Sequence, residues 1–168
     1  MVKVQKTTIW EKGNILVGKL TFKSNGKEKI KEFIELKRKV VLIVPVDEKY
    51  VYLLKEYRPL FEKTVWRVPA GTLNLNENPK KGAERELLQE TGLTTEKLTL
   101  LNNYEYMGWV KFPIFLFKAE ELNENNQKLD FYEKIKLVKV SKKEAKQIAL
   151  NEMPEPHHAF ALLKCLEP

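Results

Sequence analysis

The chain has 168 residues, 43% of them hydrophobic, which suits one domain with a single core and excludes a disordered or fibrous protein. Its net charge of +7 comes mostly from lysines scattered among glutamates, with only four arginines, so we expect a small anionic substrate and no nucleic-acid partner. No apolar run could span a membrane, and the single Cys165 cannot form an internal disulfide, so we expect a cytoplasmic protein without a membrane partner.

The first 38 residues predict a β-rich segment. Three stretches of strand-forming residues, Lys3–Trp10, Ile15–Ser24 and Ile30–Leu36, are separated by turn signals at Gly13 and Gly26. We expect this segment to precede a core over residues 39–168, so that residues 1–168 form a single domain.

The core begins with a strand that is apolar throughout. Val40–Pro45 carries no polar side chain, which predicts a strand covered on both faces. Tyr50–Leu54 follows as its expected hairpin partner. A loop over Glu56–Lys63 and a short strand near Val65–Pro69 are predicted next.

A helix over Pro79–Thr91 is the strongest local prediction in the chain. Asn78 is a suitable N-cap, proline suits the first helical position, and Gly92 is placed to end the helix. The later elements are predicted to be strands at Leu98–Tyr106, Ile114–Lys118 and Phe131–Val140, followed by helices at Lys142–Leu150 and Pro156–Leu166. The whole pattern predicts an α/β fold, a mixed sheet with helices on both sides.

Three polar side chains share one face of that predicted helix. Glu86 and Glu90 are one turn apart, and Gln89 falls between them on the same arc, while Leu87 points away toward the core. Two carboxylates so placed repel each other unless a cation lies between them. Oxygen ligands of this kind suit Mg²⁺ or Mn²⁺, so the pattern predicts a divalent metal site.

The loop before the helix supplies further candidates. Gly71 allows a sharp turn against the helix, and Ala70 offers a backbone carbonyl as an additional metal ligand. Glu77 and Arg85 are spaced to form a structural ion pair across the junction of loop and helix.

The segment Gly71–Leu93 resembles the Nudix hydrolase box. That pattern is glycine, five residues, glutamate, seven residues, then Arg-Glu-apolar-x-Glu-Glu-x-Gly-apolar, which ends here with Gly92 and Leu93. The resemblance implies an α/β/α sandwich and catalytic, metal-assisted attack by water on a substituted nucleoside diphosphate. Gln89 departs from the pattern, where the family has glutamate, and this predicts a weaker metal site. A catalytically weakened nucleotide- or RNA-binding module is therefore the alternative.

The residues before the box narrow the resemblance. Glu56–Pro59 and Trp66–Gly71 are similar to the run found in ADP-ribose pyrophosphatases. This implies hydrolysis of ADP-ribose to AMP and ribose 5-phosphate by a homodimer built with the N-terminal strands. Arg58, Arg67 and Trp10 become candidates for substrate binding, although Arg58 could instead pair with a surface acid and Trp10 could instead pack in the core or dimer interface. Dinucleoside polyphosphates, NADH and nucleoside triphosphates are alternative substrates.

The region after the box departs from that subfamily. Tyr106–Pro113 replaces its Ser-Pro-Gly stretch, and Asp130–Glu133 is all that corresponds to its acidic loop. Glu133 is the candidate general base, with an exposed acid of no function as the alternative. His157 and His158 lie outside the motif, and we expect them at the surface or in C-terminal packing.

Overall fold

A computed structural model describes residues 1–167 of the chain, apart from the side chains of residues 106 and 107. Its strands are β1 (Lys3–Lys12), β2 (Ile15–Ser24), β3 (Lys27–Leu36), β4 (Val40–Pro45), β5 (Tyr50–Arg58), β6 (Lys63–Arg67), β7 (Ala70–Thr72), β8 (Leu93–Met107), β9 (Val110–Glu124) and β10 (Ile135–Ser141). Its α-helices are α1 (Pro79–Thr91), α2 (Lys142–Asn151) and α3 (Pro156–Cys165).

The strands form two sheets within the described residues. The larger is mixed, in the order β1-β2-β3-β9-β4-β7, with β8 on the other edge of β9. In it β9 runs parallel to β3 and β4, and the other pairs are antiparallel. The smaller sheet is antiparallel, in the order β10-β5-β6. The pairing of β3 with β9 joins the predicted N-terminal β-rich segment to the core.

The predicted hairpin of β4 and β5 is wrong. The two strands lie in different sheets, and only an isolated bridge between Val46 and Val51 connects them. The Asp47 carboxylate accepts hydrogen bonds from the backbone N–H groups of Lys49 and Tyr50, at 2.9 and 2.7 Å, and so stabilises a turn that separates the strands. The buried β4 is instead paired on both edges, with β9 and β7.

Other boundaries differ from the prediction where polar residues continue a strand. The predicted loop over Glu56–Lys63 is shorter in the structure, because β5 continues to Arg58 before a 3₁₀ turn at Pro59–Phe61 and β6 begins at Lys63. The strands β8 and β9 extend well beyond their predicted apolar centres and form one long antiparallel pair joined at Gly108, whose φ is 64°. In contrast, β10 starts only at Ile135, later than predicted.

The helix α1 is confirmed at its predicted bounds, and its ends explain why. The Asn78 side chain accepts a hydrogen bond from the backbone N–H of Lys80 at 2.9 Å. Gly92 has a φ of 70° and donates from its backbone N–H to the carbonyl of Leu88. None of the helices described here is both long and apolar enough to cross a membrane.

Buried side chains of β4 alternate between two apolar clusters. Val41 and Ile43 pack with Leu87 of α1, while Leu42 and Val44 face the cluster that contains α2 and α3. The mixed sheet therefore has helices on both sides, which confirms the predicted α/β sandwich. The same arrangement presses α1 against β4 and β7, where the predicted metal ligands lie.

Candidate active site

A cleft of about 560 Å³ opens where β7 and α1 approach β5, β6 and the start of α3. Of the predicted site, Glu86 and Gln89 are not among the residues that line it, whereas six others are: Arg58, Arg67, Ala70, Gly71, Glu90 and Glu133. It also contains residues that the sequence did not single out for function: Glu56, Glu155, His157 and His158. Its volume lies within the range of about 300–1,000 Å³ that is typical of ligand pockets.

Glu86 packs directly against Gly71, which lines the cleft, although Glu86 is not itself among the lining residues. A Cβ atom at position 71 would lie only 1.9 Å from the Glu86 carboxyl carbon and 2.0 Å from one of its oxygens. The absence of a side chain at Gly71 therefore provides the space that the Glu86 carboxylate occupies. This explains in steric terms why the box spacing requires glycine there.

Glu90 is buried against the backbone of β7. Only 5% of the residue is exposed, and its Oε2 accepts a hydrogen bond from the Ala70 N–H at 2.7 Å. Burial raises the pKa of Glu90 to about 8, and the hydrogen bond from Ala70 and the charge of Arg67 oppose the rise. Glu90 is therefore a carboxyl group whose ionisation is costly without a nearby cation.

Glu86 and Glu133 are electrostatically coupled. Burial is the main cause that raises the pKa of Glu86, the Arg85 guanidinium opposes it, and the negative charge of Glu133 raises it further. Glu133 lies in the turn before β10, where its Oε2 accepts a hydrogen bond from the Asp130 N–H at 2.9 Å. The predicted general base thus stands near the predicted metal ligands.

Arg85 connects the loop, the helix and Gln89. Its guanidinium donates to both oxygens of Glu77, at 2.9 and 2.8 Å, and lowers the pKa of Glu77 to about 2. One amino group also donates to Glu86 Oε1 at 2.6 Å and to Gln89 Oε1 at 3.0 Å. The amide oxygen of Gln89 is therefore already engaged by Arg85.

The residues around Glu86 and Glu90 fit a divalent cation. Among the ion pairs of the described residues, none joins Glu90 to a basic side chain, and Glu86 is paired only with Arg85. Carboxylate oxygens and the nearby carbonyl of Ala70 form an all-oxygen donor set, which suits Mg²⁺ or Mn²⁺. A bound cation would compensate the buried negative charge.

Another part of the cleft lining carries a connected set of charged groups. Glu56 accepts a hydrogen bond from Arg58 at 3.0 Å through one oxygen and from Arg67 through the other. Arg67 also lies 2.9 Å from the Glu155 carboxylate and donates to Nε2 of His158. Arg58 thus pairs with an acid, but the acid is the buried Glu56 and not one at the surface as the alternative held, and Arg58 also lines the cleft.

The sequence analysis missed the role of this part of the cleft, and the surface placement of the histidines is wrong for His158. His158 is fully buried, while C-terminal packing describes it correctly. The sequence did contain one signal that Glu155 and His158 lie close together. They are three residues apart at the start of α3 and therefore face the same side of the helix. The partners on β5 and β6 are too distant in sequence to be inferred from spacing.

Trp10 is not brought to the cleft of its own chain. It lies on β1, which pairs only with β2, and 48% of the residue is exposed. It does not pack in the core of the same chain either. Of the predicted substrate-binding residues, the structure brings Arg58 and Arg67 together and leaves Trp10 apart.

We expect ionisation of Glu90 to destabilise the metal-free protein progressively as the pH rises from about 5 to about 8. Burial raises the pKa of Glu90 from 4.5 to about 8, so the neutral acid favours the folded state below pH 4.5 and this contribution is lost as the pH rises through 8. In a chelator, the Tm of Glu90→Gln should therefore exceed that of the wild type by a margin that grows over this range, a difference in which the opposite contribution of the buried histidines cancels. An unchanged pH dependence in the variant would contradict this interpretation.

The chain matches known proteins along most of its length. The model of the NUDIX domain matches residues 36–160. An ADP-ribose pyrophosphatase of Bacillus subtilis (strain 168) is 32% identical over 142 residues, which cover 82% of this chain and 77% of that protein. A methanol dehydrogenase activator of Bacillus methanolicus is 31% identical over 126 residues, which cover 73% of this chain and 68% of that protein.

A solved structure shares the fold. It is described as an ADP compounds hydrolase, and it superposes with a TM-score of 0.81 at 21% identity, over 97% of this chain and 91% of its own. The domain match and the first relative both include the box that bears Glu86 and Glu90. The chain therefore belongs to the Nudix family, as a hydrolase of that family.

Proposed function

We propose that the protein hydrolyses ADP-ribose to AMP and ribose 5-phosphate with the help of Mg²⁺, or of Mn²⁺ in its place. One observation carries the proposal: a single cleft is lined both by the buried carboxyl group of Glu90, from the box, and by the guanidinium of Arg58. A diphosphate needs both a cation and a fork of hydrogen-bond donors, and this cleft offers sites for the two. The names of the relatives, an ADP-ribose pyrophosphatase and an ADP compounds hydrolase, agree with this substrate class.

Glu86, Glu90, Gln89 and the carbonyl of Ala70 would hold the metal. When bound, Mg²⁺ neutralises charge on the diphosphate and stabilises the leaving phosphate. Gln89 contributes no charge, and Arg85 competes for its oxygen at 3.0 Å. We therefore propose a site that needs more metal than one with three carboxylates on the helix.

Arg58 is proposed to bind the diphosphate in the cleft. Its side chain keeps 34% of its surface exposed, and only one of its N–H groups is engaged by Glu56. The remaining donors are therefore accessible to phosphate oxygens, which a guanidinium can bind through two hydrogen bonds. This contact would hold the substrate with its phosphorus atoms facing the box.

Glu133 is proposed as the general base. It lines the cleft, and its charge acts on Glu86, so it stands close to the reacting groups without being buried. In the reaction a water oxygen forms a bond to one phosphorus, the bridging P–O–P bond breaks, and Glu133 takes the proton of the water. The products are AMP and ribose 5-phosphate.

We also propose that the protein is a homodimer. Every residue of β1 is exposed, and its apolar side chains Val4, Ile9 and Trp10 have exposed fractions of 56, 54 and 48%. Exposed apolar side chains on an edge strand such as β1 are typical of an interaction surface. In a dimer Trp10 could stack on the adenine in the partner's cleft.

Product analysis tests the proposed reaction. Purified protein with ADP-ribose and Mg²⁺ should release equal amounts of AMP and ribose 5-phosphate. Glu90→Gln should lower kcat by about 100-fold or more, because even outer-shell partners of a metal contribute about 10- to 100-fold. No AMP at any Mg²⁺ or Mn²⁺ concentration would contradict the proposal, and a parallel panel of NADH, a dinucleoside polyphosphate and ATP would then identify the substrate.

Gln89→Glu tests the proposed metal ligands. A third carboxylate on this face should lower the Mg²⁺ concentration needed for half-maximal activity, with kcat equal or higher. Gln147→Glu on the exposed face of α2 adds the same charge elsewhere and should leave the metal requirement unchanged. A higher metal requirement in Gln89→Glu than in the wild type would show that this glutamine is not a metal ligand.

Sedimentation velocity tests the dimer. We expect a single species of about twice the 19.7 kDa chain mass, converted to monomer by Ile9→Lys on the exposed β1 surface. Lys19→Glu on β2 serves as the control, because it changes the charge of the protein without placing a charge in the apolar patch of β1. A monomeric wild-type protein at micromolar concentration would contradict the proposal.

A further inference from the structure

We propose that Arg67 is a positioning residue that holds Arg58 in place through Glu56, so that the substrate diphosphate meets a preorganised guanidinium. The inference rests on the proposed function in one respect, the binding of a diphosphate by Arg58. The proposal adds a connected path of side chains, which we call the arginine relay. Its members are Glu155, His158, Arg67 and Glu56.

The centre of the relay is the Glu56 carboxylate. It is 8% exposed, and its two oxygens have different partners: Oε1 accepts from Arg58 at 3.0 Å and Oε2 accepts from Arg67. Glu56 and Arg58 are two residues apart on β5, so both side chains lie on the same face of the strand. A carboxylate held on both sides fixes the position of the more exposed guanidinium.

Arg67 is suited to hold the carboxylate and poorly suited to bind the substrate itself. The residue is 8% exposed, and its guanidinium already contacts Glu56, Glu155 and His158. Its charge is compensated by two carboxylates, which reduces its attraction for a further anion. Arg58 has one such contact and remains about one-third exposed.

The inner end of the relay is anchored on α3. Burial lowers the pKa of His158 well below its usual range, so its ring is neutral and Nε2 can accept from Arg67, at 3.2 Å from Nε and 2.9 Å from one amino nitrogen. Glu155, at the N-cap of α3, makes no side-chain capping bond and lies 2.9 Å from Arg67 Nε instead. The helix therefore restrains the guanidinium.

The same geometry argues against a metal ion in this part of the cleft. Glu155, His157 and His158 offer ligand atoms within 4.8 Å of one another, a spacing compatible with a metal site. However, Arg67 contacts two of these residues and places a positive charge among them. The positive charge of Arg67 beside two of the three groups disfavours a metal ion there, and Arg67 serves as the fixed end of the relay.

A double-mutant cycle tests the relay through binding of ADP in the presence of Mg²⁺, measured by calorimetry. Glu56→Gln keeps the shape of the side chain and removes its charge. It should weaken ADP binding by about 10-fold, the loss expected when a charge-assisted hydrogen bond is removed, whereas the loss of the negative charge beside Arg58 would by itself tighten ADP binding. In an Arg58→Ala background, the same substitution should change ADP affinity by less than about 2-fold.

Two further variants distinguish a specific effect of the relay on ADP binding from a general loss of protein stability. Arg67→Lys retains the charge but lacks the fork of donors, so it should also weaken ADP binding only when Arg58 is present. Glu35→Gln is the matched control, because Glu35 is likewise held by two basic side chains, Lys6 and Lys111, and does not line the cleft. It should leave ADP affinity unchanged. In steady-state kinetics with ADP-ribose, the relay variants should raise KM and leave kcat within about 2-fold.

Equal losses of ADP affinity with and without Arg58 would overturn the relay, as would no loss in Glu56→Gln. A wild-type protein that binds ADP but does not cleave ADP-ribose would refute the proposed substrate, and the binding cycle would still decide the relay. Wild-type protein that does not bind ADP would overturn both.

Discussion

The main constraint on this structure comes from two carboxyl groups on one face of α1, those of Glu86 and Glu90, which are largely shielded from water. Glu90 is held by the backbone N–H of Ala70, and Glu86 occupies the space left by Gly71. Burial disfavours the charged form of both. The raised pKa keeps Glu90 neutral in the metal-free protein, and a bound cation would allow it to ionise, so this constraint supports the proposed metal site.

The fold provides the stiffness that this arrangement requires. The apolar β4 is paired on both edges and packed on both faces, and it supports β7 on one side and α1 on the other. Leu87 buries the opposite face of α1, so that its acids are turned toward the loop. The second sheet brings Arg58 into the cleft, where we propose that it binds the diphosphate.

The helix α1 and its contacts could be predicted from neighbouring residues in the sequence. Contacts between residues that are far apart in the sequence could not. Asn78 and Gly92 fix the ends of the helix within the helix itself, so the sequence alone was sufficient. The contact of Arg67 with His158 spans 91 residues, and no spacing rule connects those positions. The strand β5 was also assigned to the wrong partner, because apolar alternation indicates which face is buried but not which edge is paired.

The central claim is that one cleft binds a metal on the box and the diphosphate on Arg58. A crystal structure with Mg²⁺ and a non-hydrolysable ADP-ribose analogue tests it most directly. The account predicts Mg²⁺ on the Glu86 and Glu90 carboxylates and the Ala70 carbonyl, with the diphosphate hydrogen-bonded to Arg58. A diphosphate bound outside this cleft, or a metal on Glu155 and the two adjacent histidines instead of the box, would contradict it.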